Sequence, residues 1–399
     1  MLERGCVGRN ARLDGTRRRG ARLAGMGVLP RSVANVTREG RSIVVDGVRL
    51  DQDWLRDNCR CDQCRIVQTD ERRWQPWSRT TPAEAASVAV EQGELVVVWD
   101  DGHRSSFADA DWDTIERAMN RGRFEPRVWR AEDQLERFDH DSVVGNLDAR
   151  RALFEAFRRD GAVVITGSPT EPGSIIDTAR SLGITLIDSS LGFLFDVKLD
   201  PSGYNIAFTS EGLPPHNDNA QYSEPPSGQI LAFIANEATG GDSVVVDGWA
   251  VLDELAERDP AAIEVLSRVP VGHRQYSTEA DGFSRNPLIK LDPAGGYRHL
   301  RFSNQLRQPL PHDHPDLAEW YRAYRVLGSI VTDPALALTF RMEAGDSLLV
   351  NGYRVLHART AFVADGARHL QDVYFNADDI HNALDRLEGM TANTMGRGH

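Results

Sequence analysis

The chain has 399 residues, of which 41% are hydrophobic and 26% are charged, and its formal net charge at pH 7 is -13. This length can bury a full core and allows two domains, since single domains most often have about 100 to 150 residues. The acidic balance argues against nucleic acid as the main partner, because binding to phosphates depends on Lys and Arg. No apolar run in the sequence approaches the roughly 20 residues that span a bilayer, which argues against a membrane protein.

The N-terminal segment is strongly basic. The first 25 residues contain seven Arg and only two acidic residues. They include no apolar stretch of the kind found in secretory signals. We expect residues 1–29 to form a disordered basic tail, and Met26 is a candidate start of translation.

Residues 30–125 are predicted to form a small antiparallel β domain with a metal site. Short apolar runs such as SIVVDGVRL and ELVVVWDDGHRSSF are interrupted by Gly and Asp, as between short strands. Three of the four cysteines, Cys59, Cys61 and Cys64, lie within six residues, and His103 lies in the turn-like segment WDDGHRSS. Zinc favours such a Cys3His set, and a site with four protein ligands is structural.

Two other interpretations of the cysteines remain open. An iron-sulfur cluster would lack a fourth cysteine outside the tail, where only Cys6 remains. Alternatively, the thiols carry no metal and His103 is an ordinary turn residue. Three cysteines crowded into CRCDQC suggest metal binding in a reducing cytoplasm rather than a disulfide framework.

The polar stretch 126–146 is interpreted as a linker, and residues 147–399 as a second domain. This domain opens with a predicted helix in DARRALFEAFRRDG, with Asp148 as its N-cap and Gly161 at its C-terminal end. The apolar face of that helix comprises Leu153, Phe154 and Phe157. The segment AVVIT then predicts a strand.

The rest of the second domain is predicted to consist of short strands and two helices. The predicted strands are GQILAFIANEA, DSVVVDG, DSLLVNGYRVLH and HLQDVYF. The helices are predicted over about 248–268, with Asp247 as the cap, and over about 315–330. Many short strands, with polar candidate ligands near strand ends, favour a mainly β domain of the double-stranded β-helix (jelly-roll) type with some α-helix.

Three residues of this domain form a candidate catalytic iron site: His216 and Asp218 in LPPHNDNAQY, and His357 in NGYRVLHART. Two histidines and one carboxylate can occupy one face of Fe(II) and leave three positions open for a cosubstrate and O2. The HxD spacing alone is a weak signal. Its context strengthens it, because the second histidine ends a β run and Arg368 begins the next one.

Arg368 points to the cosubstrate. In a jelly roll the strands that carry His357 and Arg368 are antiparallel neighbours, so Arg368 can offer a bidentate donor pair to a carboxylate in the same cavity. A keto acid with a distal carboxylate, 2-oxoglutarate, would chelate the iron and meet Arg368. Ser243 in GGDS is a second candidate donor to that carboxylate, although a tight Gly-Gly turn before a strand explains GGDS equally well.

These motifs carry a family resemblance. The segments HND, GGDS and RHLQDVY, with the late His357, resemble the γ-butyrobetaine and trimethyllysine dioxygenase branch of the taurine-dioxygenase-like Fe(II)/2-oxoglutarate oxygenases. The segment WLRDNCRCDQC with its downstream DGH resembles the zinc-binding domain of that branch. The resemblance extends over about residues 40 to 390, and two separate metal motifs in the expected order make it specific.

The resemblance implies a function. It implies a jelly-roll catalytic domain with iron on His216, Asp218 and His357 and 2-oxoglutarate on Arg368. It also implies that decarboxylation of 2-oxoglutarate to succinate and CO2 drives hydroxylation of an unactivated C–H bond, with the metal carrying the difficult chemistry. Ascorbate is expected to assist, and homodimers are common in this branch.

The substrate pocket departs from the family pattern. Betaine-hydroxylating members hold a trimethylammonium group in a cage of Tyr and Trp rings, at about 0.5 to 2 kcal/mol per cation-π contact. The equivalent positions by spacing are Leu191, Phe195, Phe208, Asn219 and Tyr374. Only Tyr374 keeps its residue type, which weakens the expected affinity for a quaternary ammonium.

A polar residue also bears on the substrate. Asn205 matches a residue that the family uses to hold the substrate carboxylate. We therefore predict an amino-acid-like or natural-product substrate with an apolar or less cationic end and, on the evidence of Asn205, a carboxylate. Ordinary core packing for Leu191, Phe195 and Phe208, and a turn for Asn205, are the competing interpretations.

Other functions use the same residues. The same iron site could direct desaturation, cyclisation or C–N cleavage, or act on a quaternary ammonium as in γ-butyrobetaine and trimethyllysine hydroxylation. A metal-dependent hydrolase would use zinc or manganese as a Lewis acid without a keto acid. A binding protein with a vestigial metal pocket would need neither the intact ligands nor Arg368.

Overall fold

The computed structural model describes residues 29–66, 68–121, 124–189, 192–200, 206–277, 281–293 and 295–395. The chain divides into two units, residues 1–123 and 124–399. The predicted basic tail lies outside the described residues, except for Leu29, which is buried in the core of the first unit. No helix in the described part of the chain is long and apolar enough to cross a membrane.

Unit 1 contains two three-stranded antiparallel sheets, each formed by consecutive strands. The strands are β1 (Val36–Glu39), β2 (Ser42–Val45), β3 (Val48–Asp51), β4 (Ala85–Glu91), β5 (Glu94–Trp99) and β6 (Arg104–Phe107). The helices are α1 (Gln52–Asp57) and α2 (Asp109–Asn120). A shared core includes Ile43, Leu55, Trp99 and Trp112, all of them fully buried. The short apolar runs of the sequence therefore form the β unit that their pattern predicts.

Unit 2 is dominated by two β sheets. The larger sheet contains β7 (Arg137–Asp139), β8 (Ala162–Thr166), β9 (Leu186–Ile187), β10 (Phe195–Lys198), β12 (Gly228–Asn236), β19 (Ser347–Asn351) and β21 (Arg368–Phe375). The smaller sheet contains β11 (Leu213–His216), β13 (Ser243–Asp247), β18 (Ala337–Phe340) and β20 (Val355–Arg359). Two hairpins are formed by β14 (Val271–Tyr276) with β15 (Asp281–Asn286), and by β16 (Ile289–Leu291) with β17 (Tyr297–Leu300).

In unit 2, the strand order brings together the strands that carry the candidate site residues. The larger sheet has the order β10-β21-β12-β19-β8-β7, with β9 also pairing with β21, and the smaller sheet has the order β11-β20-β13-β18. Only the pairing of β7 with β8 is parallel among these strands. Because the remaining pairs are antiparallel, segments distant in sequence lie next to each other in each sheet.

Helices cover the outer faces of both sheets. They are α3 (His140–Gly145), α4 (Leu147–Asp160), α5 (Ser174–Ser181), α6 (Gly248–Arg258), α7 (Pro260–Arg268), α8 (Leu317–Val331) and α9 (Asp378–Met395). The core shared by α4, α5, α9 and the larger sheet includes Phe154 and Ile230. The core shared by α6, α7, α8 and the smaller sheet includes Leu327 and Leu356.

A further core lies between the two sheets. Along β12, Ile230 faces the helices whereas Leu231 and Phe233 face the smaller sheet, where Val245 is part of the same cluster. This is the alternation that a strand buried on both faces requires. The space between the sheets is therefore where polar side chains can be held in an otherwise apolar environment.

Part of the stretch 126–146, predicted as a linker, belongs to the folded structure of unit 2. The indole of Trp129 is buried and donates to the Asp160 carbonyl at 2.8 Å, and the backbone N–H of Trp129 donates to Asp247 Oδ2 at 3.1 Å. Residues 137–139 pair with β8. The sequence pattern hid these contacts because the strand has only three residues and one aromatic ring supplies the buried anchor.

Two helix boundaries differ from the sequence prediction. Asn146, not Asp148, caps α4, since its side chain accepts from the N–H groups of residues 148 and 149. The helix predicted over 248–268 begins at its predicted cap, Asp247, but is broken into α6 and α7. Pro260 causes the break, because proline has no N–H and disfavours helical backbone at the preceding Asp259, where φ is -155°.

Candidate active site and metal centres

His216, Asp218 and His357 lie together on the smaller sheet. His216 ends β11 and is the direct partner of His357 on β20, and the centroids of their rings are 4.4 Å apart. Asp218 follows β11, with Oδ1 3.5 Å from His216 Nε2 and Oδ2 3.7 Å from His357 Nε2. The ligand atoms of all three residues lie within 4.8 Å of one another, so they could hold one metal ion.

Asn217 fixes the segment that joins the first two of these residues. Its backbone N–H donates to the Phe302 carbonyl at 2.8 Å, and its side-chain Oδ1 accepts from the Phe302 N–H at 2.7 Å. Its Nδ2 donates to the Gly352 carbonyl at 2.8 Å. Because Asn217 is buried and bonded on both sides, the intervening residue of the HxD motif anchors the two candidate ligands to the sheet.

The turn after Asp218 is held by a buried arginine. Asn219 has a φ of 56°, in the left-handed region that asparagine tolerates better than most residues. Arg301 donates to the carbonyl oxygens of Ala220, Tyr222 and Ser223 at 2.6 to 2.9 Å. These bonds satisfy backbone acceptors that a tight buried turn would otherwise leave unpaired.

The protonation states of the triad suit a divalent cation. His216 Nδ1 lies 2.9 Å from the Pro214 carbonyl, so Nδ1 is the donor and Nε2 faces Asp218. Burial would lower the pKa of His216, but the Asp218 carboxylate raises it. Burial and the neighbouring ring of His216 lower the pKa of His357 to about 4. Burial would raise the pKa of Asp218, but the two imidazoles and the Tyr374 hydroxyl bring it well below its ordinary value.

A metal ion would therefore meet an ionised carboxylate and a neutral His357. It would replace the proton that His216 shares with Asp218, as metal binding generally displaces protons from its ligands. The residues fit a two-histidine, one-carboxylate site that leaves coordination positions open.

A hydrogen-bond network holds one oxygen of Asp218. Its Oδ2 accepts from Gln229 Nε2 at 2.7 Å and from the Tyr374 hydroxyl at 2.9 Å. Gln229 Nε2 also donates to Asp372 Oδ2 at 2.8 Å. Oδ1 of Asp218 receives neither of these hydrogen bonds and lies 3.5 Å from His216 Nε2. Such partners of a ligand orient it and tune its affinity for metal.

Asp372 is the least expected member of this network. Its side chain is buried, and its Oδ1 has no hydrogen-bond partner in the described part of the chain. Burial, together with repulsion from Asp218, raises the pKa of Asp372 well above its ordinary value. Sequence reasoning missed Gln229 and Asp372. The alternation of β21, which places Asp372 on the same face as Arg368 and Tyr374, was the available signal for the second of them.

The candidate site opens into a cavity between the two sheets. The larger sheet contributes Phe195, Leu231, Phe233, Arg368, Asp372 and Tyr374, and the smaller sheet contributes His216, Ser243, His357 and Arg359. Most of the other lining side chains are apolar, among them Ile206 and Leu213. A cavity of this kind, with a few converging polar groups, is typical of a small-molecule site.

The guanidinium of Arg368 in this cavity is available to bind an anion. Its guanidinium lies 5.0 Å from the ring centroid of Phe362 and 5.5 Å from that of Phe233. Among the described residues no carboxylate forms an ion pair with it, and its Nε has no hydrogen-bond partner. Burial and two neighbouring arginines lower the pKa of Arg368 to about 10, so it remains cationic at neutral pH.

Ser243 lines the same cavity, and the Gly-Gly turn predicted from its GGDS segment is present. Gly240 and Gly241 have φ values of 82° and 72° and make the turn before β13. A Cβ on Gly241 would lie 3.2 Å from Arg368 Nε, so the glycine also gives the arginine its room. Ser243 then begins β13 opposite Arg359 on β20.

The second candidate metal site lies in unit 1. Cys59, Cys61 and Cys64 follow α1, and their sulfur atoms lie 3.4, 3.7 and 3.5 Å from Nε2 of His103, in the turn between β5 and β6. Neighbouring ligands of a tetrahedral zinc ion, with bonds of about 2.0 to 2.3 Å, are about 3.5 Å apart. The four residues therefore fit a closed structural zinc site.

Two charged residues, Arg56 and Asp101, contact the residues of the cysteine cluster. Arg56 is buried and donates to Cys64 Sγ at 3.2 Å, while its guanidinium lies 4.3 Å from the centroid of the Trp74 ring. Burial raises the pKa of Cys64 to about 12, against the opposing effect of Arg56. The Asp101 carboxylate accepts a hydrogen bond from the backbone N–H of His103 at 2.9 Å and so fixes the turn.

Two family models match the chain. Residues 124–374 match the model described as "Taurine catabolism dioxygenase TauD, TfdA family". The chain belongs to the TauD/TfdA dioxygenase family. Residues 45–113 match the model described as "Gamma-butyrobetaine hydroxylase-like, N-terminal", which covers all four residues of the cysteine cluster.

Relatives of this TauD/TfdA protein match over most of their lengths. Gamma-butyrobetaine dioxygenase of Pseudomonas sp. (strain AK-1) is 33% identical over 335 residues, which are 82% of this chain and 87% of the relative. Gamma-butyrobetaine dioxygenase of Homo sapiens is 26% identical over 347 residues, 83% and 89% of the two chains. Trimethyllysine dioxygenase, mitochondrial, of Gallus gallus is 28% identical over 362 residues, 86% and 84% of the two chains.

Membership in the TauD/TfdA family confirms the predicted enzyme class. The protein is a 2-oxoglutarate-dependent dioxygenase that uses iron and acts on a small molecule. The binding-protein and hydrolase alternatives are thereby set aside. The predicted branch, that of γ-butyrobetaine and trimethyllysine dioxygenases, is also confirmed.

The predicted substrate residues of this dioxygenase fall into three groups. Phe195 and Tyr374 line the cavity. Phe208 packs against Phe195, with ring centroids 5.6 Å apart, but is not itself among the lining side chains. Asn219 is buried in the turn, where its Oδ1 accepts from Gln221 at 3.3 Å, rather than lining the cavity. Leu191 and Asn205 lie outside the described residues.

Proposed function

We propose that this dioxygenase hydroxylates an unactivated C–H bond of an amino-acid-like or natural-product small molecule, with iron held by His216, Asp218 and His357. The observation that carries the proposal is the cluster of their ligand atoms within 4.8 Å of one another. It lies in a cavity that also contains Arg368. Iron bound there would supply the activation of O2, coupled to decarboxylation of 2-oxoglutarate to succinate and CO2.

The protein's own part in the reaction is to bind and orient. Arg368 holds the distal carboxylate of 2-oxoglutarate through a planar pair of donors, with Ser243 as a second donor. Gln229 and Tyr374 fix Oδ2 of Asp218, so that Oδ1 would remain available to bind the metal. The apolar side chains of the cavity exclude water and keep a single C–H bond of the substrate close to the metal.

The proposal extends to the architecture. We infer that the two sheets of unit 2 form a double-stranded β-helix, which the antiparallel order of their strands and the cavity between them support. Unit 1 then serves as the zinc-binding domain, with zinc on Cys59, Cys61, Cys64 and His103. A homodimer in the cytoplasm, as predicted from the sequence, completes the proposal.

A quaternary ammonium substrate is the second candidate. It is favoured by the names of the relatives, which are γ-butyrobetaine and trimethyllysine dioxygenases. Phe195 and Tyr374 provide two rings in the cavity for such a cation. Desaturation, cyclisation or C–N cleavage would use the same iron site, because the outcome depends on where the substrate radical lies.

Succinate formation tests the proposal. The enzyme is incubated with Fe(II), 2-oxoglutarate, ascorbate and O2, and a panel of γ-butyrobetaine, trimethyllysine, their unmethylated analogues and apolar amino acids. We expect slow succinate formation without substrate and stimulation by non-quaternary compounds. Stimulation by the quaternary amines alone would establish the second candidate. The absence of succinate under every condition would contradict the assignment of the iron site.

A further inference from the structure

The cavity contains a carboxyl group that the proposed reaction does not use. Asp372 is only 3% exposed and lines the cavity, and its Oδ1 has no hydrogen-bond partner among the described residues. An unpaired buried polar oxygen is costly, and native structures leave few of them. Its cost is offset if a ligand supplies the missing donor.

The surroundings of Asp372 would otherwise suit an apolar residue. On the neighbouring strands its direct partners are Phe195 on β10 and Leu231 on β12. Leu370 and Tyr374 flank it on the same face of β21. A leucine or valine here would complete an apolar wall without leaving an oxygen unpaired. The hydrogen bond from Gln229 gives a structural reason for Oδ2 but none for Oδ1.

Among the described residues, Oδ1 has no hydrogen-bond partner. The amide nitrogen of Gln229 bonds to the other oxygen, Oδ2, and the Tyr374 hydroxyl, 2.9 Å from Asp218 Oδ2, is shared between the carboxyl groups of Asp218 and Asp372. No Lys or Arg in the described ranges forms an ion pair with Asp372. Arg359, which the smaller sheet contributes to the cavity lining, is bonded to the carbonyls of residues 207, 209 and 211.

We propose that Asp372 recognises a primary or secondary ammonium group of the substrate, which donates an N–H to Oδ1. The inference rests on the proposed function and narrows its substrate class to amines that retain N–H bonds. A quaternary ammonium has no such donor and would leave Oδ1 unpaired, whatever it gains from the rings of Phe195 and Tyr374. Asp372 thus selects against complete N-methylation.

Binding measurements on an N-methylation series test this inference. The probes are 4-aminobutyrate, its monomethyl and dimethyl forms and γ-butyrobetaine, then lysine and trimethyllysine, then methylammonium and tetramethylammonium as probes without a skeleton. Each is titrated by calorimetry into the full-length enzyme with Fe(II) and 2-oxoglutarate under anaerobic conditions. This readout does not depend on turnover.

Two variants sharpen the measurement. Asp372→Asn keeps the shape but cannot ionise beside a bound ammonium, and we expect it to weaken binding of the N–H-bearing amines by about 10- to 100-fold. Binding of the quaternary members should weaken less, because they lose only the attraction to the charge and no hydrogen bond. Asp196→Asn is the matched control, since Asp196 adjoins Phe195 on β10 but bonds to His369 and Gln371 outside the cavity lining. It should leave both classes unchanged.

Three results would overturn the inference. They are unchanged amine affinity in Asp372→Asn, a wild-type preference for the quaternary form of each skeleton, and no binding of any amine to the wild type. The wild-type preference across the series is decisive by itself should the variant fail to fold. Normal succinate formation with any of these results would refute the role of Asp372 alone, whereas loss of succinate formation in the wild type would refute the proposed function.

Discussion

The two oxygens of Asp218 have different environments. Oδ2 is held by Gln229 and Tyr374 and lies 3.7 Å from His357 Nε2, whereas Oδ1 faces His216 Nε2 at 3.5 Å. We predict that Asp218→Ala removes iron and abolishes succinate formation, because two histidines alone hold the metal weakly. The substitution also removes the carboxylate that accepts hydrogen bonds from Gln229 and Tyr374. Metal analysis by mass spectrometry checks this. Zinc content should be unchanged, and retained iron with retained activity would mean that the triad is wrongly assigned.

The guanidinium of Arg368 gives a second prediction at this scale. Arg368→Lys keeps a positive charge but loses the planar donor pair, so we expect the KM for 2-oxoglutarate to rise about 10- to 100-fold, as for loss of a hydrogen bond to a charged group. Raising the 2-oxoglutarate concentration should restore much of the rate. Iron content should stay at the wild-type level. An unchanged KM would show that another residue binds the cosubstrate.

The sequence allowed some of these residues to be predicted and not others. His216, Asp218 and His357 could be selected because few residue types ligate iron, and the structure brings them together. Gln229 could not, because a glutamine within an apolar strand has no chemical signature of its own. Asp372 could have been found by following the face of β21 that Arg368 begins.

At the scale of the elements, one buried ion pair joins several segments of unit 2. Arg354 donates to both carboxylate oxygens of Asp247, at 2.9 and 2.8 Å, and to the carbonyls of Arg159 and Arg127. Asp247 in turn caps α6 and accepts from the N–H of Trp129. The pair therefore connects the strand that carries His357 to α4, α6 and the segment before β7.

Breaking this pair should be costly. Arg354→Met leaves Asp247 as an unpaired carboxylate that is 0% exposed, and we expect the free energy of unfolding to fall by about 3 to 5 kcal/mol. Denaturant unfolding followed by circular dichroism measures it. The matched control is Arg180→Met, which removes an exposed ion pair with Asp177 and should change stability little. Equal effects of the two substitutions would contradict the role given to the buried pair.

The elements themselves were predicted unevenly. The cap at Asp247 could be read from the sequence because a side-chain acceptor before an apolar periodic run is a strong signal. The break at Pro260 was present in the sequence but was outweighed by helical periodicity on either side of it. β7 could not be predicted, because its three residues pair with β8 through backbone groups that no composition reveals.

At the scale of the whole molecule, each unit has its own core and its own candidate metal site. We predict that Cys61→Ser lowers zinc content and the unfolding temperature of unit 1, because a structural zinc site contributes folding free energy directly. Cys6→Ser, at the remaining cysteine, is the matched control and should leave zinc unchanged. Unaltered zinc stoichiometry in Cys61→Ser would count against the Cys3His site.

The overall architecture was more predictable than its boundaries. The length of the chain and the short β runs of residues 30–125 indicated two domains, and the chain divides into two units at residue 123, with one candidate metal cluster in each. The predicted linker at 126–146 did not allow for Trp129, whose single ring anchors a polar segment to unit 2. Local composition describes such segments poorly, because their placement depends on contacts with residues far along the chain.

The pairing of His216 with His357 sets an order of assembly. The three cysteines stand within six residues and His103 follows Cys64 by 39 residues, so the zinc site can form while most of the chain is still unfolded. The iron ligands come from strands far apart in sequence and face each other only once β11 and β20 are in register, since a slip of one residue would turn one ring to the opposite face. During refolding with both metals present, zinc should therefore become protected from a chelator before iron does, and simultaneous protection would argue against this order. A chain interrupted midway through folding would carry zinc but have no place to hold redox-active iron.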